Sequence, residues 1–389
     1  MKVLFVNYNQ LDSNSGIHVF NLANHLTLLG VECIVCTPKK ENKIINNGEF
    51  LFKRVDIEDF LKRRVEKDID LIHVWTPREI VRKMTQKLLQ VYSCPYIVHV
   101  EDNEQYLIES ILKIPFPIIK RLPNALLRFL IQPHMSHPSK HKDFLHHAAG
   151  VTVIMDRLKE FCPKNMQTEI IWAGYQEDLD WNMAVDIELK RSLGISDEDF
   201  VITYTGNAHR VNCNEVADLY HAIEMLYLKG LPVKLIRTGT DYVSFLNRKQ
   251  RTLRKKYSIE LGYVARNKLP SLLSIADVLV QPGKPDAFNN YRFPSKIPEY
   301  LASGKPVILP KANIGLYLKN YEECLFLEEG SAFDIAQKLE FLFSDPKLRN
   351  KIGLGGRKFA EEHLKWSKHA EKLYSFYKIL LNQKPELVK

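Results

Sequence analysis

Two stretches decide how this chain is read: Asp277-Val-Leu-Val-Gln-Pro-Gly283, and Tyr291-Arg-Phe-Pro-Ser-Lys-Ile-Pro-Glu-Tyr-Leu-Ala-Ser-Gly-Lys-Pro-Val-Ile-Leu-Pro310. The apolar run Val278–Val280 predicts a short buried strand stopped by Pro282 and Gly283. Residues Ser295 to Pro298 are of helix-start type, and Gly304 ends that helix just before Lys305-Pro306 and a further strand. A loop and helix N-terminus so placed lie at the carboxyl end of a parallel strand, where open α/β sheets bind ligands. Backbone N–H groups there, with Lys296 and Arg292 beside them, suit a phosphate. Glu299, one turn inside, can accept hydrogen bonds from sugar hydroxyls. The segment predicts a site for a nucleoside diphosphate.

Working outward, strand and helix patterns alternate along the chain. Strands are expected at Val3–Tyr8, Val31–Thr37, Leu71–Trp75, Tyr96–Val100, Val151–Met155 and Glu169–Trp172, with helices at Ile17–Leu29 and Glu79–Val91. The acidic stretch Gln176–Asp186 reads as a linker. A second series follows: strands Phe200–Thr205, Val233–Arg237 and Ile259–Val264, helices Asn214–Lys229, Tyr242–Lys255 and Leu269–Ile275. Helical patterns then fill Ala332–Phe343, Asp345–His363 and Ser367–Leu381. Such alternation implies α/β architecture with parallel sheets covered on both faces.

Length and composition agree. A chain of 389 residues is too long for one core of common size, and its 45% hydrophobic content suffices for two. The longest apolar runs fall well short of a membrane span and Met1-Lys-Val-Leu-Phe-Val leads straight into a strand pattern, so neither a transmembrane helix nor a signal peptide is expected; six scattered cysteines, mostly flanked by apolar residues, fit the cytoplasm. Cys33 and Cys36 have C-x-x-C spacing but fall inside an expected strand, where side chains three apart face opposite ways; buried reduced thiols are the expectation. A net charge of +9 favours an anionic partner. Nucleic acid is disfavoured, because the basic residues are not interleaved with aromatics and no binding module appears. Residues 108–131 mix apolar residues with Lys113, Lys120, Arg121 and Arg128. That pattern suits peripheral contact with an acidic membrane surface, or a helical insertion packed on its own domain.

The tandem alternation resembles the GT-B fold, and within it glycosyltransferase family 4, the retaining nucleotide-sugar enzymes. The residues that carry the likeness are the loop Asn7–Gly16, Tyr96–Asp102, Tyr204-Thr-Gly-Asn207, and Leu261-Gly-Tyr-Val264 through Val280. The specific part is the Pro-Ser-Lys … Glu-Tyr-Leu-Ala-x-Gly-x-Pro-Val pattern at 294–307. The resemblance implies two Rossmann-like domains facing a central cleft: residues 1–178 on the acceptor side, 188–365 for the nucleotide sugar, and a 366–389 helix crossing back to the first domain. It implies a nucleotide-sugar donor, a glycan or lipid-linked acceptor, surface-polysaccharide or glycolipid synthesis, and no metal or other cofactor. By the same resemblance Glu299 holds the ribose. Donor-binding candidates are then Gly16, Gly206, Asn207, His209, Arg210, Asn289, Arg292, Ser295, Lys296 and Glu299; Lys296, Asp102 and Glu101 are the candidates for catalysis.

Three departures stand out. The first of the family's two glutamates falls on Tyr291, with Asp286 or Asn289 as stand-ins. The diphosphate-binding Arg and Lys fall near Asn207 and Cys213, with His209 and Arg210 as substitutes. The N-domain histidine position holds Glu101, with His99 two residues earlier. These departures keep two other readings open: a catalytically silent GT-B protein, and a sugar-nucleotide 2-epimerase. The Asp-x-Asp matches at 68–70, 178–180 and 197–199 read as ordinary charged turns, the histidines between 134 and 147 as no metal site, and Gly353-Leu-Gly-Gly356 as a helix–helix turn.

Overall fold

The computed structural model describes residues 1–37, 49–63 and 68–382; the end of the expected tail, 383–389, lies outside the described residues. The chain divides into two compact units. The first comprises Met1–Ala173, Tyr291–Phe293 and the segment from Trp366 onward; the second comprises Gly174–Asn290 and Pro294–Lys365.

The first unit is built on strands β1 (Lys2–Val6), β2 (Glu32–Thr37), β3 (Lys53–Asp56), β4 (Leu71–Trp75), β5 (Tyr96–Val100), β6 (Gly150–Val153) and β7 (Thr168–Ile170). They form one sheet in the order β3-β2-β1-β4-β5-β6-β7, every pairing parallel. The central strands read as unbroken apolar runs because both faces are covered; Leu71–Trp75 and Tyr96–Val100 are buried along their whole length. Each fully buried Leu, Val or Phe stabilises such a core by about 1.5–3 kcal/mol.

Helix Asn14–Leu28 starts where the Ser13 hydroxyl accepts the Gly16 N–H, a side-chain N-cap. The tail helix Trp366–Asn382 belongs to this unit. Its Trp366 ring lies 5.4 Å from His18, and its Tyr377 hydroxyl is 2.6 Å from His73 Nδ1. Cys33 and Cys36 are buried and free, and burial pushes both thiols well above their ordinary range.

The second unit holds β8 (Phe200–Thr205), β9 (Val233–Thr238), β10 (Ser258–Gly262), β11 (Val278–Val280), β12 (Val307–Pro310) and β13 (Leu325–Leu327), again parallel. Their order is β10-β9-β8-β11-β12-β13, so the winding reverses between β8 and β11. Both units are thus Rossmann-like. The stretch read as a linker is not loose: Trp181 is buried with its indole N–H on the Gln176 carbonyl, and Asp186 caps helix Ile187–Ser192.

One expectation is overturned. Gly353–Gly356 lies in the middle of helix Pro346–His363 and makes no turn. A Cβ at Gly353 would sit 2.0 Å from the Gly304 carbonyl oxygen, and one at Gly355 2.0 Å from that of Glu322. The glycines let this helix touch backbone, including the turn that closes helix Ile297–Ala302.

Candidate functional site

The second unit presents the carboxyl ends of β8 and β11 side by side at the reversal point. Beyond β8 comes Gly206, whose φ of 155° is a conformation that L side chains rarely adopt. A Cβ there would lie 2.7 Å from Lys296 Nζ, so the lysine head group rests against this backbone. Lys296 also sits 4.1 Å from the centroid of the Tyr204 ring. The two segments are tied from below, since the buried Tyr300 hydroxyl accepts the Thr205 N–H at 2.6 Å. Beyond β11, Gln281 to Lys296 forms the loop that leads into helix Ile297–Ala302, with Lys296 at its N-cap position and Ser295 in the preceding turn.

Glu299 is buried within the first turn of that helix, and its carboxylate is paired with the Arg266 guanidinium. Arg266 lies just beyond β10 and keeps its Nε buried without a hydrogen-bond partner among the described residues. The sequence reading missed Arg266; its place at the carboxyl end of a strand was the available signal.

The remaining donor-side candidates divide. The Asn207 side chain accepts the Thr240 N–H at 2.7 Å, which anchors the exposed loop that carries His209 and Arg210. His209 stacks on Tyr242 with ring centroids 4.7 Å apart, and burial lowers its basicity. Asn289 is fully buried: its amide donates to Glu215 at 2.5 Å, and its carbonyl accepts from Asn313 at 2.9 Å. Asn289 therefore braces the loop from inside. Arg292 groups with the first unit, as does Tyr291, whose hydroxyl donates to Glu160.

In the first unit the carboxyl ends of β1, β4 and β5 bring a second cluster together. Gly16 belongs to it because the helix start packs on the preceding loop; a Cβ there would lie 2.1 Å from the Gln10 carbonyl oxygen. Glu101 accepts hydrogen bonds from the Ser15 hydroxyl at 2.5 Å and the Trp75 indole at 2.6 Å, and lies 3.5 Å from His18 Nδ1. Burial first, then the adjacent Asp102 charge, push its carboxyl up to about 7. Asp102 is more open and lies 3.3 Å from Arg78. Burial raises its carboxyl too, against the pull of Arg78 and Arg292. Two neighbouring carboxyls are thus given different partners, the arrangement that separates acid and base roles.

His99 is buried and stacked on Trp75 with ring centroids 3.9 Å apart; its Nδ1 is 2.8 Å from the Thr152 hydroxyl. Among the described residues, the His/Cys/Asp/Glu group whose ligand atoms come within 4.8 Å of one another is His18, His99 and Glu101. The histidines at 134–147 form no such group, and two of them, His141 and His147, bond backbone carbonyls four residues back. The Asp-x-Asp pairs hold backbone: Asp70 accepts the N–H of Lys2 at the start of β1, while Asp180 and Asp199 accept those of the nearby Asn182 and Ser196.

Residues 185–359 match the family model of glycosyl transferases group 1. No curated protein sequence matches the chain. Solved structures share its fold at low identity. Sucrose-phosphate synthase from Thermosynechococcus elongatus superposes with a TM-score of 0.72 at 16% identity, over 98% of this chain and 99% of that one. HepE of Anabaena in complex with UDP gives 0.71 at 15%, over 97% and 100%. A TarM variant of S. aureus, in complex with fondaparinux, alpha-GlcNAc-glycerol and UDP, gives 0.68 at 8%, over 97% and 99%. Residues 185–359 are a glycosyl transferases group 1 domain, and the chain that carries them has the GT-B fold.

Proposed function

We propose that the protein transfers a sugar, with retention at the anomeric carbon, from a nucleoside diphosphate sugar to a hydroxyl of a glycan or lipid-linked acceptor. The observation that carries this reading is the meeting of Lys296 with Gly206 at the ends of β11 and β8, one turn ahead of the buried Glu299. In transfer, the bond from the anomeric carbon to the diphosphate breaks while a bond to the acceptor oxygen forms. The acceptor proton leaves, and negative charge grows on the diphosphate. Lys296 stabilises that charge with no metal required. Glu299 offers acceptors to ribose hydroxyls, and Asp102 and Glu101 orient or deprotonate the acceptor hydroxyl. No protein nucleophile is assigned. UDP in the HepE and TarM complexes makes a uridine nucleotide the first donor to try.

The test is incubation with UDP-sugars in chelator-treated buffer, followed by mass spectrometry of candidate acceptors. A sugar adduct formed without metal supports the proposal; nucleotide binding without transfer or hydrolysis goes against it. That negative result is what a second reading expects. Tyr291 stands where the family's first glutamate belongs, and its hydroxyl is engaged with Glu160. A silent nucleotide-binding protein would have this feature.

The acceptor side carries a candidate membrane surface. Helices Phe116–Ile119 and Asn124–Leu130 bury Phe116, Ile119 and Leu127 in a small core with Ile108 and Met135. They leave Phe129 87% and Ile118 53% exposed among Lys120, Arg121 and Arg128. Exposed apolar side chains amid basic residues suit the cytoplasmic face of an anionic bilayer, a setting that fits assembly of surface polysaccharide or glycolipid. The described residues hold no helix long and apolar enough to cross a membrane. Flotation with vesicles checks this: binding to anionic but not zwitterionic vesicles, weakened in Phe129→Ala, is expected. Equal recovery with both lipids contradicts it.

A further inference from the structure

Arg78 lies just beyond the end of β4 and is nearly enclosed, with a side chain 13% exposed. Every nitrogen of its guanidinium is engaged. Nη2 is 3.3 Å from Asp102 Oδ2, Nε is 3.2 Å from Glu104 Oε1, and Nη1 donates to the Tyr8 hydroxyl. The guanidinium also lies 4.8 Å from the centroid of the Tyr8 ring. Glu104 is fixed in turn by the Ser136 hydroxyl at 2.8 Å. One side chain thus joins the segments that follow β1, β4 and β5. The charged or titratable groups that act on it are Tyr8, Glu101, Asp102 and Glu104; Arg292 acts on Asp102 as well. Arg78 also pulls on Glu101, but among the described residues Glu101 makes no guanidinium hydrogen bond; its oxygens accept from Ser15 and Trp75.

We propose that Arg78 is a positioning residue for the acceptor side: it fixes the orientation and the charge of Asp102, so that of two adjacent carboxyls Asp102 is the one held ionised. Tyr8 and Glu104 serve by holding Arg78. The inference rests on the acceptor-side reading of Asp102, but its test does not need turnover. A planar, three-point guanidinium is not replaced in full by lysine, which keeps the charge and loses the fork.

The experiment is carboxyl-carbon NMR of protein labelled at aspartate, with the Asp102 signal assigned by Asp102→Asn. Titrations are run on wild type, Arg78→Met and Arg78→Lys. An opposite charge at this range lowers a carboxyl by about 1–3 units, so the Asp102 midpoint should rise by at least about one unit in Arg78→Met and return most of the way in Arg78→Lys. An unchanged midpoint in folded Arg78→Met overturns the proposal. If that variant does not fold, Tyr8→Phe removes one anchor; a rise in the midpoint supports the proposal, and none overturns it. Nucleotide binding, measured alongside, should be kept in Arg78→Met, because Glu299 and Lys296 are untouched. If even wild type binds no nucleotide, the proposed function fails while the Asp102 titration still decides the role of Arg78. Where turnover is found, the acid limb of kcat/KM should move up with the same midpoint.

Discussion

Glu299 is almost wholly removed from water, and the Arg266 guanidinium paired with it offsets the cost of that burial. If the ribose is held here, Glu299→Ala loses hydrogen bonds to a charged group and leaves Arg266 uncompensated. Nucleotide affinity should fall by roughly 10-fold or more, read by calorimetry. Lys296→Ala should lower kcat by about 100-fold, with a smaller change in KM, because the leaving charge grows in the transition state. Wild-type turnover in Lys296→Ala would remove Lys296 from the site. Histidine burial gives a separate expectation. Burial holds His73 and His369 at about 3 and lowers His99 in the same direction. Each stays neutral in the fold, whereas its unfolded form takes a proton below about 6.5. Stability is therefore present above that value and lost as pH falls through it, by up to about 1.4 kcal/mol per pH unit for each proton. Urea midpoints that stay flat from neutral pH to about pH 5 would contradict this. At this scale, legibility depended on distance along the chain. Lys296 and Glu299 were readable because one contiguous stretch carries both. Arg78 was not, because its partners lie 24, 26 and 70 residues away.

The site helix Ile297–Ala302 is short, and its position depends on what lies behind it. Helix Pro346–His363 reaches it through glycines that admit backbone contact. Gly353→Ala would drive a Cβ to 2.0 Å from the Gly304 carbonyl oxygen, a backbone atom that cannot swing aside. A loss of about 1–3 kcal/mol of stability is expected, with weaker nucleotide binding as the site helix shifts. A melting temperature equal to wild type would show that the contact is dispensable. The sequence misled here because two glycines two apart, followed directly by a third, look like a turn when no partner is in view. Other elements were legible in proportion to how much of their pattern is local. Leu71–Trp75, Tyr96–Val100, Phe200–Thr205 and Val278–Val280 are strands with the bounds expected. Strand β3 was not expected, since Lys53–Asp56 is polar and gains strand geometry only from pairing with β2. The helix expected over Tyr242–Lys255 begins only at Arg248, where Asn247 and Gln250 form a capping box.

At the scale of the whole molecule, the tandem strand–helix alternation was enough for the architecture. Each series closes into a parallel sheet whose winding reverses beside its first strand: β1 lies between β2 and β4, and β8 between β9 and β11. That reversal explains why Lys296 with Gly206, and Asp102 with Glu101, all lie at strand carboxyl ends. What the sequence left open was the identity of the charges that complete each cluster, because sheet order brings them together and sheet order is not written locally. The donor claim is tested most directly by calorimetric titration of UDP and UDP-sugars into metal-free wild type and Glu299→Ala. Saturable binding of at least one of these to wild type in the presence of chelator is expected, with marked weakening in the variant. A well-folded wild type that binds none of them, or a variant that binds as tightly as wild type, would contradict it.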